Sequence, residues 1–576
     1  MFHLPDIEHP LFTDATSSSG IRFAHSENYF DDFKRYRLMP TRVSWGGPAV
    51  AVGDVDGDGL DDVLFGDRLG RSIATFLQKT PGSFVRSNSG LDGVDTTYET
   101  QAMVLVDIDN DGDRDLLVAG GGPEFAEEDV ERGLRIYINN GKGQLKRQLS
   151  GVPQISTNAT TINACDYDGD GDFDVFIGGG VETDRYPYAS QSYLFSNNGK
   201  GLFTDVTSTV IPEVSRIGII RSALWSDIDN DGRFDLLLNG EWMPLTIFRN
   251  TGSRFENVTT SAGLEKTTGW WYSLMGADVD NDGDMDYVAG NIGLNTCYQS
   301  GPDTPIEIFA ADFDDNGSID PLITWWFRGK RHIIRDRGQV FSQMPTLNRK
   351  FNEFIDFAVA PIEKVVDQQI LDTCFHRAAV LMESVLLVND GNGHFTVRPL
   401  PSEAQISPIL GIEAFDVNQD PWIDLVITGN VYGAEDDVVR YDGGKGLVLL
   451  GDGTGQFRPL TLPESGFITQ FDARGLVSVR NPGSKGVPLV LIAAVNSNET
   501  MVYLPLLQGL RVQKTDPMKV SSALFKIGGG QRRTEVYCGS GYRSQTSCHI
   551  MVPPGATSMT TYLGSKKTGT APVTKP

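Results

Sequence analysis

The sequence predicts an all-β fold, a β-propeller of seven or eight blades, from two recurrent signals. The first is an acidic nine-residue loop that occurs seven times, beginning at Asp54, Asp107, Asp166, Asp227, Asp278, Asp312 and Asp416. The second is a glycine-rich turn in phase with it, as in Asn139-Asn-Gly-Lys-Gly143, Asn197-Asn-Gly-Lys-Gly201, Asn389-Asp-Gly-Asn-Gly393 and Gly451-Asp-Gly-Thr-Gly455. Successive loops start 53, 59, 61, 51, 34 and 104 residues apart. A period of about 50–60 residues with about four strands per unit is the mark of a propeller blade.

The first five loops place carboxylates at positions 1, 3, 5 and 9 and glycine at position 6; the sixth has asparagine at position 5, and the seventh has asparagine at position 3 and proline at position 6. So many like charges in nine residues are unfavourable unless a cation neutralises them. A hard cation such as Ca²⁺ takes six to eight oxygens at ~2.3–2.6 Å, and alternate carboxylates on a curled loop supply them. The expected ligands are Asp54, Asp56, Asp58 and Asp62 in the first loop and Asp107, Asp109, Asp111 and Asp115 in the second. Asp166, Asp168, Asp170 and Asp174 follow in the third, Asp227, Asp229, Asp231 and Asp235 in the fourth, and Asp278, Asp280, Asp282 and Asp286 in the fifth. The sixth offers Asp312, Asp314, Asn316 and Asp320, and the seventh Asp416, Asn418, Asp420 and Asp424. About five to seven calcium ions are therefore expected. Position 7 should offer only its carbonyl, so Asp113, Asp172 and Asp284 are not counted as side-chain ligands.

The flanks separate these loops from an EF-hand, whose calcium loop joins helices and ends in a glutamate at position 12. Here apolar runs enter and leave: Ala49-Val-Ala-Val52 before the first loop, Val63-Leu-Phe65 after it, and Leu116-Leu-Val118, Val175-Phe-Ile177, Leu236-Leu-Leu238 and Leu425-Val-Ile427 after others. Short apolar runs bounded by turn residues read as buried strands. Asn-Gly and Asp-Gly make tight hairpins, so the second signal marks the outer strand pair.

The short interval of 34 predicts that the unit at Asp278 lacks a strand or merges with its neighbour, and the interval of 104 predicts an insertion. The spacing of Ile362, Val365, Val366, Gln369 and Ile370 predicts a small helical excursion over ~340–380. Phe12-Thr-Asp-Ala-Thr16 resembles Phe203-Thr-Asp-Val-Thr207, so an N-terminal strand within ~10–30 is expected to complete a last blade that has no acidic loop and to hide its edge. The domain reading is a propeller over 1–510, a small β module over 511–565 and a disordered tail over 566–576.

The formal charge is −26, and the 28 expected ligand positions carry 26 carboxylates. The acidity is therefore mostly a property of the loops, and nucleic acid is excluded as a partner because its phosphates require clustered Lys and Arg. No segment approaches the ~20 apolar residues of a membrane span. The first ten residues have neither the basic start nor the apolar core of a signal peptide. Loops of this kind suit the high calcium outside cells, so the expectation is a piece of a longer secreted protein, the alternative a cytoplasmic one. Five cysteines, Cys165, Cys297, Cys374, Cys538 and Cys548, form no disulfide framework; Cys538 and Cys548 could pair across a hairpin or stay as free half-buried thiols.

The loops resemble the FG-GAP/VCBS repeats of integrin-α-like propellers. Further segments resemble the ASPIC/UnbV group: His25-Ser-Glu-Asn28, Gly47-Pro-Ala-Val-Ala-Val-Gly53, Glu241-Trp-Met-Pro244, Gly269-Trp-Trp271, Gly290-Asn-Ile-Gly-Leu-Asn295, Gln343-Met-Pro345, Ala404-Gln-Ile-Ser-Pro408 and Gly429-Asn-Val-Tyr-Gly433. Near the end, Gly530-Gln531, Gly539-Ser-Gly-Tyr542 and Ser544-Gln545 resemble the UnbV module. The resemblance implies a secreted or surface-attached calcium-binding protein with no established chemistry. The chain departs from the pattern at Pro421, which replaces the loop glycine of the seventh site, and at Asn316 in the sixth.

Other candidates are weaker. Trp242, Trp270, Trp271, Trp325 and Trp326 read as core aromatics or as a sugar-stacking platform. Glu124 and Glu241 read as structural carboxylates or as an acid–base pair across the channel, and His25 and His332 are candidate neighbours. No zinc-protease, nucleophile-elbow or phosphate-loop motif is present. Two functions follow: a calcium-stabilised, non-catalytic scaffold that recognises a protein or glycan outside cells, or a calcium-dependent polysaccharide lyase on a propeller.

Overall fold

Apolar runs on both sides of each acidic loop become the first two strands of an antiparallel sheet. Val50–Gly53 and Asp62–Phe65 are the first such pair, with Val50 opposite Phe65 and Gly53 opposite Asp62, and every residue of both is buried. Strands covered on both faces read as continuous apolar runs, as Leu489–Asn496 does. The computed structural model describes residues 10–122, 124–125, 133–435, 438–484, 486–507, 511–528 and 530–573.

Among the described residues seven four-stranded meanders follow one another along the chain, the fourth and fifth joined into one sheet where Glu241 lies opposite Trp270. Their first strands are Val50–Gly53, Glu99–Val106, Ala159–Cys165, Ile219–Ser226, Gly269–Ala277, Gly411–Phe415 and Asp472–Arg480. Each first strand lies against that of the next sheet, and the seventh returns to the first. The apolar core lies between sheets. Phe65, Phe76, Val479 and Ile492 pack between the first and seventh, and Leu64, Leu105, Leu116 and Tyr137 between the first and second. The seventh sheet is completed by Phe12–Asp14, with Phe12 opposite Pro505. The chain then crosses toward the first sheet, where Ile21 and Phe23 join the core.

The unit at Asp278 lacks nothing, which corrects the expectation of a missing strand or a merger. Its sheet is interrupted: Asp286–Asn291 pairs with Val385–Asn389, Tyr287 opposite Leu387. The intervening chain builds a separate sheet in the order Lys330–Ile333, Asp320–Phe327, Ile306–Ala311, Phe375–Ala379. The sixth acidic loop lies in this inserted sheet. Short helices Arg337–Gln343, Phe354–Ala358, Ile362–Val365 and Gln368–Leu371 cover it, burying Phe341, Phe357 and Ile362 against Phe309 and Leu322.

Two further expectations are corrected. Residues Lys566–Pro572 form a strand rather than a disordered tail, pairing with Ala556–Leu563 so that Ser558 faces Pro572; residues 574–576 lie outside the described residues. The C-terminal part is also no mere appendage. Gly530–Glu535, Ser522–Ile527, Ala556–Leu563 and Lys566–Pro572 form its sheet, but Cys538–His549 runs through the middle of the ring. There Val50 N donates to Arg543 O, Gln545 exchanges hydrogen bonds with both backbone groups of Leu105, and Ala164 N donates to Cys538 O. Ser222 Oγ and Gly541 O, Gly541 N and Leu274 O, and Ser478 with Thr546 and Ser547 complete the circuit. The first strands of a closed ring expose unpaired backbone groups toward its axis, and the polar segment satisfies them.

Candidate metal centres

Every acidic loop connects the first and second strands of a sheet, so six of them lie at one end of the ring and one lies on the inserted sheet. The curl is held by the loop's own carboxylates. In six loops the position-6 glycine amide donates to the position-1 aspartate at 2.8–3.1 Å. In all seven the position-5 side chain accepts from the position-7 amide at 2.8–3.0 Å. Position 4 also adopts left-handed backbone, in Gly57, Asn110, Gly169, Asn230, Asn281, Asp315 and Gln419. The sequence reading missed this position; its occupants, mainly glycine and asparagine, are those that tolerate positive φ.

Position 9 has a second role. Both oxygens of Asp62, Asp115, Asp174, Asp235, Asp286 and Asp424 accept from backbone amides, one at loop position 2 and one on the third strand. Asp320 takes Phe313 N and the Gln343 side chain instead. Burial raises these carboxyls, to about 8 for Asp62, Asp174, Asp235 and Asp286, about 7 for Asp115 and Asp424, and about 6 for Asp320. The position-2 residue is in turn tied to the next sheet. Asn139, Asn197, Asn250 and Asn389, at the hairpin ends of the second to fifth sheets, donate to the carbonyls of Val55, Ile108, Tyr167 and Ile228 at 2.8–2.9 Å.

Among the described residues at least five loops bring three carboxylate oxygens within 4.8 Å of one another: Asp54, Asp56 and Asp58; Asp107, Asp109 and Asp115; Asp166, Asp168 and Asp174; Asp227, Asp229 and Asp235; Asp278, Asp280 and Asp282. Several of the oxygens are buried and accept no hydrogen bond, among them Asp107 Oδ1, Asp109 Oδ1, Asp227 Oδ1, Asp278 Oδ1 and Asp280 Oδ1. Buried polar atoms of a folded protein normally have a partner, and an all-oxygen donor set of this kind fits a hard divalent cation. Position 7 faces a neighbouring loop: Asp172 and Asp284 accept from Asn110 and Asn230 at 2.6 and 2.5 Å.

The sixth and seventh loops differ. In the sixth, Asn316 Nδ2 points away to Gln343 O, while Asp314 Oδ1 is buried without a partner. In the seventh, Pro421 has no amide to give Asp416, whose Oδ2 is left unpartnered, and Asn418 Nδ2 donates to Asp420 Oδ2 at 2.8 Å. A donor therefore occupies the interior of that loop. The C-terminal part rests on the same end of the ring: Lys514 Nζ reaches Asp54 Oδ2, Arg533 Nη2 reaches Asp227 Oδ2, and Arg533 N donates to Asp278 Oδ2, each at 2.7 Å.

At the opposite end, five of the first strands carry a β-bulge. In four it falls six residues before the acidic loop, at Gln101, Thr160, Arg221 and Tyr272, and in the seventh sheet, which has no such loop, at Arg474. Bulges re-aim side chains. Arg221, Arg474 and Arg543 surround the Tyr542 hydroxyl, which their charges draw below the usual phenol range despite its burial. Arg221 pairs with Glu241, and Arg474 with Asp472 and the carbonyl of Trp45. The residues that carry the family resemblance at 25–28, 47, 241 and 542 thus meet at one channel mouth, Glu27 accepting from Gly47 N at 3.0 Å.

The remaining candidates divide between the core and the surface. Trp242, Trp270 and Trp271 are buried, Trp242 donating to Tyr186 and Trp271 to Thr267 O. Trp326 donates to Glu307, and Trp325 stacks on Phe327 at the surface of the inserted sheet. Glu241 is held by Arg221, and Glu124 lies beside Asn28. His25 contacts Asn496 at the seam of the first and seventh sheets; His332 packs on Phe327 in the insertion. Among the described residues no helix is long and apolar enough to cross a membrane.

Residues 54–118, 107–177 and 227–289 match the FG-GAP-like repeat. Among solved structures, the Vibrio cholerae biofilm matrix protein Bap1 is similar at 11% identity, covering 84% of this chain and 91% of that one, with a TM-score of 0.33. The BBS1N chain crystallised with ARL6DN is similar at 9% identity over 84% and 98% (TM-score 0.36), and a Bacillus licheniformis rhamnogalacturonan lyase at 10% over 80% and 72% (TM-score 0.33).

Proposed function

We propose that this chain is a calcium-stabilised, seven-bladed β-propeller of the ASPIC/UnbV kind, a non-catalytic scaffold for recognising a protein or glycan outside the cell. One observation carries the reading: in five loops the carboxylates converge within 4.8 Å, several with buried oxygens that no donor satisfies. The carboxylates of the first five loops would hold the ions, with the sixth a weaker site and the seventh empty. The C-terminal UnbV-like sheet covers the loop end of the ring, which supports placing the partner at the opposite mouth or on the insertion. Loops and insertions on a rigid frame suit recognition.

Each occupied site stabilises the fold by about 2.7 kcal/mol when free calcium is a hundredfold above its dissociation constant. The test is a pair of thermal melts, in millimolar calcium and in chelator, with metal analysis of the protein purified without chelator. A large calcium-dependent rise in the midpoint and several ions per chain are expected. Equal midpoints, or a metal-free protein, refute the proposal.

A further inference from the structure

The segment that fills the channel stands on two cysteines. Cys538, which bridges to Ala164, and Cys548, whose carbonyl accepts from Thr515 N, mark its two ends, the second leading into His549–Val552, which pairs with Arg511–Lys514. Between them the chain reaches Tyr542 and Arg543 at the far mouth and returns. Both thiols are buried, and their sulfurs lie 4.0 Å apart. A disulfide needs ~2.05 Å between sulfurs, so a change of side-chain torsion suffices. Arg114 Nη1 lies 3.3 Å from Cys548 Sγ. Cys165, Cys297 and Cys374 have no comparable sulfur partner among the described residues.

We infer that Cys538 and Cys548 are a covalent cross-link site, whose oxidation to a disulfide ties the two feet of the channel segment and locks it in the ring. With the segment seated, the Cys538 thiol and the Arg114 guanidinium hold Cys548 below the ordinary thiol range; once it is withdrawn either thiol can attack first, with the same products. The oxidant is a small-molecule or protein disulfide. With Cys548 first, its Sγ attacks one of the oxidant's sulfurs and releases a thiolate. Cys538, giving up its proton to that thiolate, then attacks Cys548 Sγ of the mixed disulfide and releases the second external sulfur as a thiolate, which takes up the proton Cys548 lost to solvent on ionising. Two thiols and one external disulfide become one internal disulfide and two external thiols. Because the pair is buried, exchange requires the segment to be withdrawn, and oxidation then blocks a second withdrawal. Closing a loop of about ten residues shifts that opening equilibrium by about a hundredfold.

The experiment uses the full chain in calcium, equilibrated with oxidised or with reduced glutathione during refolding. Trypsin cuts after Arg533, Arg543 and Lys566. The oxidised sample should therefore yield fragment 534–543 joined to 544–566, lighter by two hydrogens than the two free peptides. Its melting midpoint should exceed that of the reduced sample by several degrees. In Cys538→Ser and Cys548→Ser the difference should vanish, while Cys165→Ser retains it. Absence of the joined peptide, its joining to Cys165 instead, or equal midpoints of oxidised and reduced wild type would each overturn the inference, even where a variant fails to fold. Calcium is present in every arm, so failure of the metal reading shows separately as calcium-independent melting.

Discussion

Gly112→Ala tests whether a cation holds the loop curl. Gly112 has φ +96°, and a Cβ built there meets no atom within 4 Å. The substitution therefore adds no clash, and its cost is that of left-handed backbone for an L-residue, about 1–2 kcal/mol. The Gly112 amide donates to Asp107, itself one of the carboxylates that gather with Asp109 and Asp115. Without a cation those charges repel and the curl relaxes, so the strain falls on the calcium-bound state. One site should then bind about tenfold more weakly, since 1.4 kcal/mol is a factor of ten. Gly252→Ala is the control: φ is +88°, a Cβ is equally unobstructed, and the turn lies outside the acidic loops. Calorimetric calcium titration and urea unfolding, each with calcium and with chelator, separate the two. Gly112→Ala should lose stability mainly in calcium, and Gly252→Ala equally in both. An unchanged isotherm, with the same loss in both conditions, refutes the argument.

Asn197→Ala removes the 2.8 Å hydrogen bond from a buried side chain to Ile108 O of the preceding sheet; urea unfolding should show a loss of about 1–3 kcal/mol, and a loss within error would deny the tie a role. Asn418→Asp with Pro421→Gly restores a carboxylate and a position-6 amide to the seventh loop, and calorimetry should count one more ion; an unchanged count contradicts the account of that loop. Burial raises Glu413 to about 7. A raised carboxyl pKa means the folded state binds more protons than the unfolded one between the ordinary glutamate value and 7, so stability falls as pH rises through that window. Glu413→Gln should flatten the decline between pH 5 and 7, by up to about 3 kcal/mol at 1.36 kcal/mol per unit; parallel curves for wild type and variant would show that Glu413 is not its source.

What the sequence made legible follows from what is local. The loops declare themselves because carboxylates at alternate positions and a glycine at position 6 act within nine residues. Phe12-Thr-Asp could be matched to Phe203-Thr-Asp because both are outermost strands with the same exposure demands. The interrupted fifth sheet was hidden, since pairing of Tyr287 with Leu387 depends on contacts a hundred residues apart. The channel segment was hidden for a different reason. Ser540, Ser544, Gln545 and Ser547 have the composition of a surface turn, yet they are buried, because their hydrogen-bonding groups answer backbone groups on strands far away in sequence. The bulges at Gln101, Arg221 and Tyr272 left only a position-specific trace, six residues before the loop.

The distribution of good and defective loops predicts where the ring is held by metal and where it is not. The sixth sheet carries the defective loop, and the seventh carries none, so the two sheets with no intact site are neighbours. Their seam is supported otherwise. Phe12–Asp14 completes the seventh sheet, and Ser478, on its first strand, bonds to Thr546, Ser547 and Glu413. Elsewhere the loops themselves join the sheets, through Asn139, Asn197, Asn250 and Asn389. Removing calcium should therefore loosen the first five sheets before the last two. Hydrogen exchange in chelator should rise in Asp115–Gly121, Asp174–Gly179 and Asp235–Met243 while Leu489–Asn496 stays protected. A uniform rise, or one confined to the seventh sheet, would mean that the ions do not act through these ties.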